Sequence, residues 1–148
     1  MRTKTTNFLQ ITVLLTALLY IAAGMIFFIS PFVFGKLLAV PTSDEWLRQI
    51  SADGFLVMIY LVARGLAALL VLSGISLVMP IFDPLKYRLL IHLFCVIFPL
   101  VSGGFLLFSG FYDGYMTARI IGGIFGLIFL LNFISLHLTR KNAKQGIE

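Results

Sequence analysis

The stretch from Gly54 to Met79 reads GFLVMIYLVARGLAALLVLSGISLVM, and Arg64 is its single charged residue. A run of about 20 apolar residues is long enough to cross the ~30 Å hydrocarbon core of a bilayer as a helix. An arginine at such a depth costs roughly 2.5–3.5 kcal/mol on insertion scales, so it needs a structural or functional reason. The stretch therefore predicts a membrane-spanning helix that carries one special residue.

Three further apolar runs predict three more spanning helices. The chain has 148 residues, of which 60% are hydrophobic and 11% charged, whereas soluble domains carry about 25% charged residues. Backbone polar groups in lipid must be satisfied within the segment, which favours helices. The predicted helices cover residues 7–29, 54–79, 84–109 and 117–139. We expect a single all-α domain over residues 1–148, an integral membrane four-helix antiparallel bundle.

The longest connection, residues 30–53, predicts a short interfacial helix between helices 1 and 2. The sequence Thr42-Ser43-Asp44-Glu45 fits a capping box. Trp46 follows it directly, and tryptophan is enriched at the depth of the lipid headgroups. We therefore interpret this segment as a connector that lies along the membrane surface.

A signal peptide is the alternative interpretation of helix 1. Arg2 and Lys4 precede the apolar run, and Ala22-Ala23-Gly24 resembles a cleavage site. The apolar run continues to Ile29, however, which exceeds the usual length of the hydrophobic region in a signal peptide. We therefore expect helix 1 to be a membrane-spanning helix.

The basic residues predict the orientation of the chain. They precede helix 1, separate helices 2 and 3, and follow helix 4: Arg2, Lys4, Lys86, Arg88, Arg140, Lys141 and Lys144. By the positive-inside rule, both termini face the cytoplasm of a multi-pass protein in the inner (plasma) membrane. The net charge of +5 is divided among three short segments rather than gathered on one face, so we expect no nucleic-acid partner.

Arg64 has two interpretations that the sequence leaves open. Helical spacing places it on one face with Asp53 and Tyr60, and Arg119 opens helix 4 on the same outer side. In the structural interpretation Arg64 extends outward to Asp53, Asp113 or a backbone carbonyl. In the functional one it binds an anionic or carbonyl-bearing ligand, such as a lipid headgroup or a quinone. The candidate ligand-binding residues are Arg64, Tyr60 and Arg119.

Helix 4 carries residues suited to helix packing. Gly122 and Gly126 have GxxxG spacing, and Gly123 widens the smooth surface. Small residues let helices approach closely in lipid, and Asn132 is expected to bond a partner helix. Packing within the bundle is favoured over homodimerisation, although a homo-oligomer or a larger membrane complex is a further expected partner.

Helix 3 has a proline and two metal-ligand residues. Pro99 removes a backbone hydrogen bond, which predicts a kink. His92 and Cys95 are three residues apart, but zinc sites use three or four ligands, and the sequence shows no matching third residue. We predict no metal site and no cofactor.

The sequence has no recognisable catalytic motif, neither a nucleophile elbow nor a zinc-protease motif nor a phosphate-binding loop. The leading hypothesis is a protein without catalysis of its own that binds a lipid-like or quinone-like molecule or acts as an accessory subunit. One alternative is an oligomeric transporter or channel subunit. Another is a membrane enzyme that uses His92 and Cys95.

The sequence Ala63-Arg64-Gly65-Leu66-Ala67-Ala68, with Gly74 further on, resembles the second helix of small DoxX-like four-helix bacterial membrane proteins. Arg119-Ile120-Ile121-Gly122-Gly123 at the start of helix 4 fits the same outline. The resemblance implies a four-helix membrane fold, and some members are linked to quinone or redox chemistry. The chain lacks the additional acidic or cysteine residues that an active redox subunit would use.

Overall fold

The structure is a computed structural model that describes residues 4–29, 52, 54–114 and 116–144. Its elements, in chain order, are α1 (Lys4–Ile29), α2 (Gly54–Ser76), α3 (Val78–Phe82), α4 (Arg88–Ile91), a π-helix (His92–Ile97), α5 (Phe98–Tyr112) and α6 (Met116–Lys144). The regular structure of the described residues is therefore all helical, as predicted. The predicted interfacial helix, with its capping box and Trp46, lies outside the described residues.

Four helical segments are long and apolar enough to cross a membrane. They are Thr6–Ile29, Tyr60–Phe82, Arg88–Tyr112 and Met116–Asn142. Many of their large apolar side chains are exposed, as expected for helices that lie in lipid; examples are Leu61, Leu89, Phe105 and Phe111. The length and the apolar composition of these helices confirm the prediction of four spanning helices, and with it of a multi-pass membrane protein.

The second spanning segment does not end at Met79. The α-helix breaks at Leu77, and α3 then continues to Phe82. This break places Pro80 in the first turn of a new helix, where an N–H group would have no partner within the helix. A proline is therefore tolerated at a position where the sequence suggested a helix end.

The third spanning segment begins at Arg88 rather than Pro84, because residues 84–87 form a turn. The backbone N–H of Lys86 donates to Asp83 Oδ1 at 3.1 Å, and the N–H of Tyr87 donates to the Asp83 carbonyl at 3.2 Å. Asp83 therefore caps this turn instead of starting the helix, a role that short acidic side chains fill readily.

Pro99 is preceded by a π-helix. Proline has no N–H to donate to the carbonyl four residues earlier, that of Cys95, and its ring crowds that carbonyl. The π-helical segment His92–Ile97 contains Cys95, and its wider turn supplies the room that a regular α-helix lacks. Where the sequence predicted a kink, the structure shows this change of helical type.

The chain forms two compact units, residues 1–18 with 76–148 and residues 19–75. In the first unit, α5 and α6 approach closely at Gly103 and Gly122. A Cβ atom at Gly122 would lie 2.9 Å from the Leu107 nitrogen and 3.0 Å from the Gly103 carbonyl oxygen. The contact therefore requires glycine, in keeping with the small residues found where membrane helices pack.

The second unit brings α1 and α2 together at Gly24. A Cβ atom there would lie 2.7 Å from Val71 Cγ2 and 2.8 Å from the Ala67 carbonyl oxygen. Tyr20, one turn earlier on α1, is fully buried. Gly24 therefore has a packing role in α1, within the segment that resembled a cleavage site.

Candidate functional site

Arg64 and Tyr60 form the centre of the candidate site, on α2 in the second unit. The guanidinium carbon of Arg64 lies over the Tyr60 ring, 4.8 Å from its centroid. The two residues are four positions apart, so the helix itself brings them onto one face. Both side chains are partly buried. The arrangement is a cation–π contact made within one helix.

The Arg64 guanidinium still has an unused donor. Its Nε atom is buried and has no hydrogen-bond partner among the described residues. A cation–π contact contributes about 0.5–2 kcal/mol, which offsets only part of the roughly 2.5–3.5 kcal/mol cost of an arginine in hydrocarbon. The group is therefore positioned to donate to an acceptor that approaches from outside this pair.

Arg119 belongs to the first unit and already has partners there. Its Nε donates to the Gly110 carbonyl oxygen at 2.8 Å, and its guanidinium carbon lies 5.1 Å from the centroid of the Phe111 ring. The first contact satisfies a carbonyl at the end of α5, where helices leave such groups unpaired. Arg119 therefore has a structural contact that the sequence did not indicate.

Of the two carboxylates named as outward partners of Arg64, the structure describes only Asp113. Asp113 accepts a hydrogen bond from the Ser109 hydroxyl at 2.7 Å, and its N–H donates to the Ser109 carbonyl at 2.8 Å. Asp53 lies outside the described residues. Asp113 thus has a local role at the C-terminal end of α5.

A buried polar seam, defined as Thr12, Thr16, Asn132, Ser135 and Thr139, joins α1 and α6 in the first unit. The Asn132 side-chain NH₂ donates to Thr16 Oγ1 and to the Ile128 carbonyl, each at 2.9 Å. Asn132 Oδ1 and Ser135 Oγ are buried without a hydrogen-bond partner among the described residues. The sequence marked Asn132 for interhelical bonding but did not identify its partner.

Of the three packing glycines named from the sequence, Gly122 makes the close contact. A Cβ atom at Gly123 or Gly126 would meet no atom within 4 Å, although a Cβ atom at Gly103 would lie 3.3 Å from the Gly126 nitrogen. The close approach of α5 and α6 therefore depends on Gly122 of α6 and Gly103 of α5. It does not depend on the pair Gly122 and Gly126 of α6 that the GxxxG spacing suggested.

His92 and Cys95 lie in different surroundings. Cys95 is fully buried. His92 is exposed and lines a cavity of about 420 Å³ together with Leu85, Arg88, Leu89, Leu136, Thr139 and Arg140. No group of three or more potential metal ligands occurs among the described residues. From the sequence, Arg88 and Arg140 were used only to predict the orientation of the chain.

No protein-family model, curated protein or solved structure matches the chain at a significant level.

Proposed function

We propose that this protein is a small multi-pass membrane protein without catalysis of its own that binds a lipid-like or quinone-like molecule through Arg64 and Tyr60. The buried, unpartnered Nε of Arg64 within an apolar spanning segment is the observation that carries the proposal. Ionisable residues inside membrane helices are rare and commonly mark ligand or ion pathways. A carboxylate, a phosphate or a quinone carbonyl supplies the acceptor that Nε lacks.

The Tyr60 ring supports this proposal in two ways. It holds the guanidinium in one direction along the helix face, which leaves fewer conformations to fix when a ligand arrives. It also presents an apolar surface next to the charge, as an amphiphile with a polar head and an apolar body requires. An aromatic ring beside an arginine thus matches a lipid-like or quinone-like molecule better than a small hydrophilic ion.

The proposal includes an arrangement in the membrane. The four spanning segments form an antiparallel bundle, with both termini and the turn at residues 84–87 in the cytoplasm of an inner-membrane protein. The protein acts as a binding or accessory subunit. Basic residues at both termini and beside this turn support that orientation. The resemblance to DoxX-like proteins supports the same fold and a quinone as one ligand class.

Native mass spectrometry of the purified protein tests the proposal. Wild type and Arg64→Ala are released from the same detergent, and the molecules that remain bound are identified by their mass and by lipid extraction. Lys141→Ala is the matched control, because Lys141 is an exposed basic residue near the end of the fourth spanning segment and belongs to the other compact unit. We expect one bound species in wild type and in Lys141→Ala that is absent from Arg64→Ala.

The same set of bound molecules in all three proteins would overturn the proposal. A Tyr60 pair refines the result: Tyr60→Phe keeps the ring face and is expected to retain the ligand, whereas Tyr60→Leu removes the cation–π contact and is expected to weaken retention. Equal retention by both Tyr60 variants would show that the ring has no part in binding.

A further inference from the structure

The cavity lined by Arg88, His92 and Arg140 is a second feature with the chemistry of a binding site. Arg88 and His92 are four residues apart on one helical face, and Arg140 comes from the C-terminal part of α6. All lining residues belong to the first compact unit, so the cavity is formed within it. Its volume of about 420 Å³ lies in the range of ligand pockets, roughly 300–1,000 Å³.

The lining of this cavity holds basic side chains and no acidic one. No carboxylate lines it, and Asp83 and Asp113 are engaged with Lys86 N–H and the Ser109 hydroxyl. Neither Arg88 nor Arg140 has an ion-pair partner in the described part of the chain. Two unpaired guanidinium groups that share one cavity form a site for an anion.

The position of the cavity indicates the kind of anion. Arg88 is the first residue of one spanning segment, and Arg140 lies two residues before the end of another. This is the depth at which lipid headgroups meet the hydrocarbon. Three leucines, Leu85, Leu89 and Leu136, supply an apolar wall beside the charges. An amphiphile uses both surfaces of such a cavity, whereas a soluble phosphate uses only the charged one.

We propose that this cavity binds a phosphate group and that an anionic phospholipid headgroup supplies it. The planar guanidinium forks of Arg88 and Arg140 bind phosphate oxygens, and the leucines contact the start of the acyl chains. Basic pockets between membrane helices bind lipid headgroups in this manner. With the orientation proposed above, the cavity faces the cytoplasmic leaflet, which is rich in anionic lipid. The site shares no residue with the Arg64 site.

Competition between two lipids tests the site. The protein is delipidated, exchanged into micelles with equal amounts of phosphatidylglycerol and phosphatidylcholine of the same acyl chains, and analysed by native mass spectrometry. We expect wild type to retain phosphatidylglycerol over phosphatidylcholine by at least about tenfold, because hydrogen bonds to charged groups are the strong ones. Arg88→Gln/Arg140→Gln is expected to lose this preference, and Arg140→Gln alone to lose most of it. The single variant serves if the double variant does not fold.

Lys141→Gln is the matched control, since it removes an adjacent exposed charge that does not line the cavity. Lys141→Gln is expected to keep the preference for phosphatidylglycerol. Arg64→Leu is also expected to keep it, so a failure of the proposed function at Arg64 can be distinguished from a failure of this site. Equal retention of the two lipids by wild type would overturn the proposal, as would an equal loss in Lys141→Gln. In a separate experiment, the melting temperature of the wild-type protein is measured with inorganic phosphate and with phosphatidylglycerol. An equal rise with both would overturn the assignment of the ligand as a lipid.

Discussion

Replacing Gly122 with alanine is expected to destabilise the contact between α5 and α6. The new Cβ atom would lie 2.8 Å from Leu107 Cγ, 2.9 Å from the Leu107 nitrogen and 3.0 Å from the Gly103 carbonyl oxygen. Rotation of the leucine side chain relieves only the first of these contacts. The other two involve the backbone, so α5 and α6 must move apart.

The size of the effect follows from a comparison with Gly123→Ala. Separating the helices by about 0.5 Å to restore ordinary contact distances has the cost of an overpacked core, roughly 1–3 kcal/mol. Alanine also favours the helix over glycine by about 0.5–1 kcal/mol. Gly123→Ala receives this gain without an overlap, because no atom lies within 4 Å of its new Cβ. The difference between the two variants therefore isolates the overlap.

The sole cysteine provides the assay. Cys95 is fully buried in the same compact unit, so its reaction with a fluorogenic maleimide on heating reports unfolding in detergent. At about 2–4 °C per kcal/mol, Gly122→Ala is expected to melt roughly 2–12 °C below Gly123→Ala. A melting temperature for Gly122→Ala equal to or above that of Gly123→Ala would refute the reasoning.

Three further predictions concern other parts of the chain. A double-mutant cycle of Asn132→Leu and Thr16→Val is expected to give a coupling energy of about 0.6–1.7 kcal/mol, and a value near zero would contradict the bond. Gly114→Ala is expected to lower stability by about 1–2 kcal/mol, measured by the same melting assay, because Gly114 has φ of 79°; an unchanged melting temperature would argue against this turn. In an otherwise cysteine-free chain, a cysteine at Lys86 is expected to react from the cytoplasm and one at Ser43 from outside, and the reverse pattern would overturn the orientation.

The sequence predicts the helices of this protein better than their ends. Long apolar runs identify the four spanning segments, because length and hydropathy alone decide whether a helix crosses a bilayer. The ends depend on details that composition does not show. Because the helix breaks at Leu77, Pro80 lies in the first turn of a new helix. Because Asp83 caps a turn, the third spanning segment begins only at Arg88.

The two sites differ in how far the sequence predicts them. Arg64 and Tyr60 belong to one helix, so their four-residue spacing is enough to bring them together. The basic cavity combines α4 with α6, and it depends on which residues of α6 face Arg88. Arg140 lines the cavity and Lys141 does not, although both are basic residues that lie next to each other in the sequence. Only the packing of the helices distinguishes them.

The melting temperature of Arg64→Leu, with and without ligand, tests the central claim most directly. Wild type and Arg64→Leu are each titrated with a short-chain quinone and with a fatty-acid carboxylate, and unfolding is followed through Cys95. A ligand at 100 times its Kd stabilises the folded state by about 2.7 kcal/mol, or roughly 5–10 °C at the sensitivity used above.

We predict that at least one of the two probes raises the melting temperature of wild type by this amount and leaves Arg64→Leu unchanged. Without ligand, Arg64→Leu is expected to melt at or above the wild-type temperature, because an apolar residue that replaces a partly buried ion is often neutral or stabilising. An equal rise in both proteins, or no rise in either, would contradict the claim that Arg64 holds a lipid-like or quinone-like ligand.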